Sequence, residues 1–479
     1  MKRRENWNDA RLESHPPAKW RAPGKNQIKG TNIVALEPTT KTETLYEFEL
    51  GSTEVLGFGL YSGFMVDGQF ETQATATDAW TVCGADEATK VTVQPNWFEH
   101  MVKQIDVFHI NAEINPHDVP VTADAFLNSY LLAYMDHFTK MFLCPEPCNP
   151  GNAVTVEKEG WRATATSDYA KYAKHIFGKE VKFRYIPLFK FPFYQSPNFV
   201  LDGKKPTALP MSLIGSLHIR LYLKDDCTKI FKKIDGNNAN YRFKIKSIQL
   251  MVEEMRMGPT AEKQFTNQRR QLEFAGVTKL GMAHNIPTGI FTYTAKINKL
   301  YQPEGIFICC LPKSVVPGTY DFKDYVDQVF LEHRIKSVDV YFGGKPFYSK
   351  KPTPYDLGAG LSDEKIFFDH LIAPPFGVFQ KPSLLDYAKM QNGSKLSAYP
   401  HVYIDLTQGR PDSRIIPTND PGTIVQNKDF LEVVMQFDTQ GPNTNGTYFV
   451  YYFYTDSNIV FDPHAKRFLN VYNNTKITS

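Results

Sequence analysis

The chain has little cysteine and no long apolar run. Its 479 residues include six cysteines, Cys83, Cys144, Cys148, Cys227, Cys309 and Cys310. Usage this sparse excludes a disulfide-stapled scaffold and fits reduced thiols in a cytosolic or nuclear setting. The sequons at Asn392, Asn445 and Asn473 are then expected to stay unused. No apolar stretch approaches the roughly 20 residues of a membrane helix; residues 305–311 run apolar but stop at Pro312. The opening Met-Lys-Arg-Arg-Glu-Asn-Trp-Asn lacks the apolar core of a secretory signal, so none is expected. Charge is nearly balanced at +3, so any contact with nucleic acid must be local rather than a property of the whole chain.

Catalytic signatures are also missing. There is no phosphate loop, no His-Glu-x-x-His, no Gly-x-Ser-x-Gly and no Cys-x-x-Cys. Gly57-Phe-Gly59 echoes a dinucleotide turn, but its spacing is wrong and a β-turn is the better reading. Cys144-Pro-Glu-Pro-Cys148 could hold a metal or a disulfide, with His137 within reach in sequence. A structural zinc site wants four ligands and no second close pair accompanies this one, so free thiols are the default. Cys309 and Cys310 are adjacent in an apolar segment and are expected to pack on opposite faces of a strand. No catalytic, cofactor-binding or metal-ligating residue is assigned.

What the chain does have is a segment present twice. Residues 98–107, Phe-Glu-His-Met-Val-Lys-Gln-Ile-Asp-Val, return at 331–340 as Leu-Glu-His-Arg-Ile-Lys-Ser-Val-Asp-Val. Glu99, His100, Lys103, Asp106 and Val107 match Glu332, His333, Lys336, Asp339 and Val340 at an offset of 233. A second block follows in the same order: residues 217–223, Leu-His-Ile-Arg-Leu-Tyr-Leu, against 431–437, Leu-Glu-Val-Val-Met-Gln-Phe, at an offset of 214. Collinear matches near half the chain length imply tandem duplication. Glu99-His100 and Glu332-His333 look like acid–base pairs, but their repetition before a strand favours a structural contact. Asp106 and Asp339 are each expected to face outward between inward apolar neighbours.

Hydrophobic residues at 42% and charged residues at 22% fit a globular protein of two domains. Phe (35) and Tyr (25) favour strands and large buried contacts between chains. Alternation predicts strands near 45–50, 60–66, 104–111, 181–185, 217–223 and 243–252, then 289–297, 305–311, 336–342, 402–406, 431–437 and 448–454. One more strand is placed in the tail near 459–471. Helices are predicted from Thr122 to about Phe138, over 168–177 with Gly178 as the stop, and over 384–391. Many short strands with Gly and Pro punctuation indicate β-sandwiches. The expected fold is mainly β: two tandem eight-stranded antiparallel jelly rolls with short inserted helices. The expected boundaries are a basic N-terminal arm at 1–42, a first roll at 43–257, a connector at 258–283 and a second roll with a C-terminal tail at 284–479. The arm, with Lys2, Arg3, Arg4 and Arg11, has two readings. It is a draped terminus, or it touches an anionic polymer or neighbouring subunits.

These residues resemble the major capsid proteins of Polinton (Maverick)-type elements, adintoviruses and virophages, which are double jelly-roll proteins. The first half is similar over residues 96–108, over the helix carrying Phe126, Tyr130 and Leu131, and over residues 209–223 and 248–252. The second half is similar over 322–354, with the turn Gly343-Gly344 and Pro352 and Pro354. The resemblance covers roughly residues 45–460 in order. It implies a homotrimeric, pseudo-hexameric capsomer in an icosahedral shell around a DNA genome, with penton and minor capsid proteins as partners and no catalysed reaction. It implies a virion location after assembly in the host cytoplasm or nucleus. The alternative is a tandem β-sandwich that binds or hydrolyses carbohydrate, for which five tryptophans are few.

Overall fold

A computed structural model of the chain describes residues 18–19, 28–51, 54–58, 62–93, 97–110, 112–114, 176–185, 187, 207–224, 230–233, 237–259, 272–274, 278–286, 292–298, 305–312, 335–342, 345–346, 401–405, 430–437, 446–454 and 459–470. Eight principal strands come first: β1 (Ile28–Leu36), β2 (Leu45–Leu50), β3 (Gly63–Gln73), β4 (Val102–His109), β5 (Ala112–Glu113), β6 (Glu180–Tyr185), β7 (Leu217–Leu223) and β8 (Asn240–Met257). They form two antiparallel sheets, in the orders β6-β3-β8-β1 and β5-β4-β7-β2; the short strands Val55–Phe58, Thr207–Pro210 and Thr81–Val82 extend the first to seven strands and Thr40–Lys41 extends the second to five. After a linking strand, β9 (Leu272–Phe274), eight more follow: β10 (Thr278–Ile286), β11 (Thr292–Asn298), β12 (Gly305–Pro312), β13 (Ile335–Phe342), β14 (Lys345–Pro346), β15 (His401–Asp405), β16 (Phe430–Phe437) and β17 (Gly446–Tyr454). Their sheets run β15-β12-β17-β10 and β14-β13-β16-β11. Ordinal by ordinal, this is the first pattern again. Eight strands in two sheets, paired mostly by long returns with one tight hairpin, define a jelly roll. The chain holds two in tandem.

The strands form where side chains alternate. β7 buries Leu217, Ile219, Leu221 and Leu223 and leaves His218, Arg220 and Tyr222 partly exposed. β2 does the same with Tyr46, Phe48 and Leu50. Between the first roll's sheets lies an aromatic core. Trp97 and Phe98 enter it from a single helical turn, α1 (Trp97–Met101), which leads straight into β4. Trp97 meets Phe243 at 4.5 Å, Phe70 at 5.1 Å and Phe183 at 5.2 Å between ring centroids, and Phe98 meets Tyr185 at 5.0 Å. Each such fully buried ring contributes on the order of 1.5–3 kcal/mol from burial. Gly68 lies opposite the bulge of β8, where Ile245 and Ser247 bracket a shift of register. A Cβ there would sit 2.5 Å from both the Lys244 carbonyl and the Phe243 ring, so only glycine lets the two strands approach.

The duplication holds at the level of register. In the first roll Ile219 pairs Val107, Arg220 pairs Asp106 and Leu221 pairs Ile105. In the second, Val433 pairs Val340, Val434 pairs Asp339 and Met435 pairs Val338. These are the same pairs once the two offsets are applied. The following hairpins agree as well, with Ala112 opposite His109 and Lys345 opposite Phe342.

Several expectations need amendment. Ile28–Leu36 was read as part of the arm, yet it is a nine-residue strand paired with Leu250–Met257 of β8. Leu272–Phe274 and the start of β10 fall inside the segment read as a connector. Asp106 points away from Ile105 and Val107 as expected, but it is only 6% exposed and accepts a hydrogen bond from Gln104 Nε2 at 2.6 Å. The strand read at 60–66 runs from Gly63 to Gln73. Gly178 adopts φ +82 directly after buried Ile176 and Phe177, in keeping with a helix stop. The rest of that helix, and the helices read at 122–138 and 384–391, lie outside the described residues.

Candidate assembly surface

Jelly-roll topology brings distant segments to one end of the first roll. Ile28, the first residue of β1, pairs with Met257, the last of β8. Met251 pairs with Gly63 at the start of β3. The Met211 amide donates to the Glu54 carbonyl at 3.1 Å, and the Met257 amide donates to Glu54 Oε2 at 3.3 Å. His109 closes β4 at this same end; it is 2% exposed, with Nε2 2.8 Å from the Ile214 carbonyl oxygen.

A hairpin from the far end of the chain completes this end. β18 (Ile459–Asp462) pairs with β19 (Arg467–Asn470) and, on its other side, with β9. Ala18–Lys19 adds a parallel strand to β9, giving a four-stranded sheet. Leu272, Val460 and Phe461 are at most 2% exposed, and Leu272 and Phe461 belong to the first roll's core. The rings of Phe468 and Phe461 stand edge-on to His109 at 5.3 and 5.9 Å. The segment before the first roll, the link between rolls and the segment after the second roll therefore meet at one place.

Ile110 follows His109 at the tip of the β4–β5 hairpin. It has φ +47 and is 67% exposed. A β-branched residue seldom adopts that backbone region. The equivalent position in the second roll is Gly343.

The outer faces of the first roll carry paired charges. Glu71, only 4% exposed, takes Arg242 Nη2 at 2.6 Å and Gln69 Nε2 at 2.9 Å, with Lys244 Nζ at 3.9 Å. Burial by itself would raise the Glu71 carboxyl pKa; the hydrogen bonds from Gln69 and Arg242 and the nearby positive charges outweigh it and hold it below its ordinary value. Arg242 in turn stacks 4.2 Å over the Trp80 ring. On the other sheet Glu47 takes Arg220 at 3.2 Å and His218 at 3.6 Å. Burial, with the Glu87 and Glu71 charges adding to it, pushes the Cys83 thiol up to about 12, so it stays protonated.

Of the residues singled out in sequence, Lys2, Arg3, Arg4, Arg11, His137, Cys144, Cys148, Glu332 and His333 lie outside the described residues. Glu99 and His100 sit on α1 at the foot of β4. Asp339 sits on β13, opposite Val434 where its twin faces Arg220. Among the described residues no cluster of His, Cys, Asp and Glu could hold a metal ion, and no helix is long and apolar enough to cross a membrane. His109, Ile110, Phe461 and Phe468 were not singled out in sequence.

No protein-family model matches the chain, and no curated protein matches it in sequence. Solved structures do match. The Faustovirus major capsid protein superposes with a TM-score of 0.51 at 8% identity, over 93% of each chain. A chain from the 3.5 Å cryo-EM structure of the Sputnik virophage gives 0.50 at 11% identity, covering 96% of this chain and 91% of its own. The mavirus major capsid protein gives 0.49 at 10% identity, covering 95% and 92%. At these identities the likeness is one of fold: the chain is a double jelly roll. The resemblance read in sequence holds at that level.

Proposed function

We propose that this chain is a viral major capsid protein that acts by self-assembly. The observation that carries the reading is the duplication of a complete eight-stranded roll, in matching strand order and register, in a fold shared with the Faustovirus major capsid protein. Three copies of a two-roll chain bring six similar rolls into a ring. A threefold ring of this kind has a nearly sixfold outline and tiles a curved hexagonal sheet. The contact that closes it is heterologous: roll one of one chain meets roll two of the next. In this account nothing is catalysed. The protein forms homotrimeric, pseudo-hexameric capsomers of an icosahedral shell in the virion, around a DNA genome. Penton and minor capsid proteins complete the shell. The basic residues Lys2, Arg3, Arg4 and Arg11 contact the genome through its phosphates, and phosphate contacts carry no sequence information.

Sedimentation of the purified full-length chain tests the reading. A three-chain species supports it. A stable monomer that binds oligosaccharides supports the carbohydrate-binding alternative instead.

A further inference from the structure

The second roll is tied to the first by two strands rather than one. Its first and last strands, β10 and β17, pair antiparallel from Thr278–Tyr454 to Ile286–Gly446. Towards the first roll the same two chain segments pair again, as β9 and β18, with Phe274 opposite Ile459 and Leu272 opposite Phe461. Residues 275–277 on one strand and 455–458 on the other are all that separate the two ladders. From Phe274 to Thr278 the chain can reach at most about 14 Å. A two-stranded ribbon with one interruption therefore runs from the sheet of the second roll to the core of the first. Its near end is anchored there. Leu272 and Phe461 are at most 2% exposed and belong to the first roll's core, and Phe468 of β19 packs on Phe461 at 5.0 Å between ring centroids. Val460 and Phe461 are neighbours on one strand and so face opposite ways. Val460 is nevertheless only 2% exposed, and it lies outside the first roll's core cluster. Both faces of β18 are thus covered, which makes it an interior element rather than an end draped on the surface.

Two connections restrain what one leaves free. A single covalent link lets two domains swivel about every φ and ψ it contains, and relative motion is then the default. A hydrogen-bonded pair of strands, continuous with one roll and buried in the other, removes that swivel. We propose that β9, β18 and β19 form a clasp that fixes the second roll in one orientation on the first, within each chain and before any contact between chains. Its consequence for assembly rests on the capsid reading. A chain whose rolls are already set loses little freedom when three of them close a ring, so the clasp lowers the concentration at which rings form.

Val460→Asp in the full-length chain tests it, because it puts a charge on the covered face of β18 and takes no atom from the first roll's core. Val460→Ala is the milder companion. Val91→Ala is the control: Val91 is buried in the first roll's core at the start of β8, where Asn237 donates to the Lys90 carbonyl, whereas the clasp lies at the end of β8. Nitroxide-bearing residues in place of exposed Ala79 on the first roll and exposed Thr292 on the second report the distance between rolls by pulsed electron spin resonance, below the concentration of ring formation. Sedimentation over a concentration series reports ring formation. The unaltered chain and Val91→Ala are expected to give one narrow distance distribution. Val460→Asp is expected to widen it at least about twofold and to raise the half-assembly concentration at least about tenfold, with Val460→Ala between. A narrow distribution in both Val460 variants overturns the clasp, as does a broad one in the unaltered chain. Broadening in Val91→Ala as well also overturns it, by assigning the effect to lost stability in general. If Val460→Asp does not fold, Val460→Ala decides alone. A widened distribution with unchanged ring formation overturns the consequence for assembly. Failure of the capsid reading looks different: the unaltered chain then forms no ring at any concentration, while the distances still separate the variants.

Discussion

Lys103 and Lys336 occupy the extra position of two equivalent β-bulges. In the first roll the pairing steps from Tyr222–Gln104 to Leu223–Val102 and skips Lys103. In the second it steps from Gln436–Ser337 to Phe437–Ile335 and skips Lys336. A bulge inserts one unpaired residue and re-aims the strand beyond it. Because side chains alternate, everything on one side of the bulge changes face relative to an unbroken ladder. Val102 and Ile105 both belong to the first roll's core although three residues apart, as the bulge allows.

The bulge yields a sharp contrast between two changes at one residue. Lys103 is exposed, so Lys103→Ala is expected to alter stability by no more than about 0.5 kcal/mol. Deleting Lys103 is expected to cost several-fold more, on the order of 3 kcal/mol or above, because it forces either Val102 or Ile105 off the core face. Denaturant unfolding of both variants measures the difference. Equal effects would mean that the bulge carries no structural information.

Glu71 sets a pH dependence. Its folded-state pKa lies below the ordinary value of 4.5, so the stability it contributes is present above the unfolded pKa and is lost as pH falls through the folded one. Glu71→Gln is expected to destabilise the first roll by about 1–2 kcal/mol near neutral pH. The gap between the two proteins is expected to shrink as pH falls below the ordinary value of 4.5 and through the lower folded-state one. Thermal unfolding across that range checks it. A gap that stays constant would place the effect in packing rather than charge.

The C-terminal hairpin is expected to stabilise the first roll, although it follows the second in sequence. Phe461→Ala removes a fully buried ring and is expected to cost about 3–5 kcal/mol. Hydrogen exchange localises the loss: amides of β4 and β9 are expected to exchange faster, because they border the Phe461 site. Faster exchange confined to β10–β17 would show that the hairpin belongs energetically to the second roll.

How much of this was legible in the sequence depends on which force fixes each element. β2 and β7 have one face in a core and one in water, so burial writes itself as alternation, and both were read closely. The duplicated blocks were legible for the same reason. β1 was not. Its residues Lys29 to Ile33 are all exposed, and backbone hydrogen bonds to β8 rather than burial hold it, so Ile-Lys-Gly-Thr-Asn-Ile-Val-Ala-Leu carries no clean period. α1 is a single turn, too short to show a helical repeat. Asp106 was placed on the outer face correctly, but an outer face can be buried when Gln104 and a polar row cover it. The site is harder still. That Phe461 and Phe468 meet His109 is a long-range contact, and the +47 φ of Ile110 exists only in three dimensions. The one available signal was the apolar alternation in the tail, which marked a strand but not its partner.

Electron microscopy of the purified, full-length chain tests the central claim most directly. Two similar rolls per chain, closed three at a time, predict ring-shaped particles with three chains and a six-lobed outline. Single two-lobed particles, or a ring whose lobes do not alternate between two roll types around a threefold axis, would contradict it.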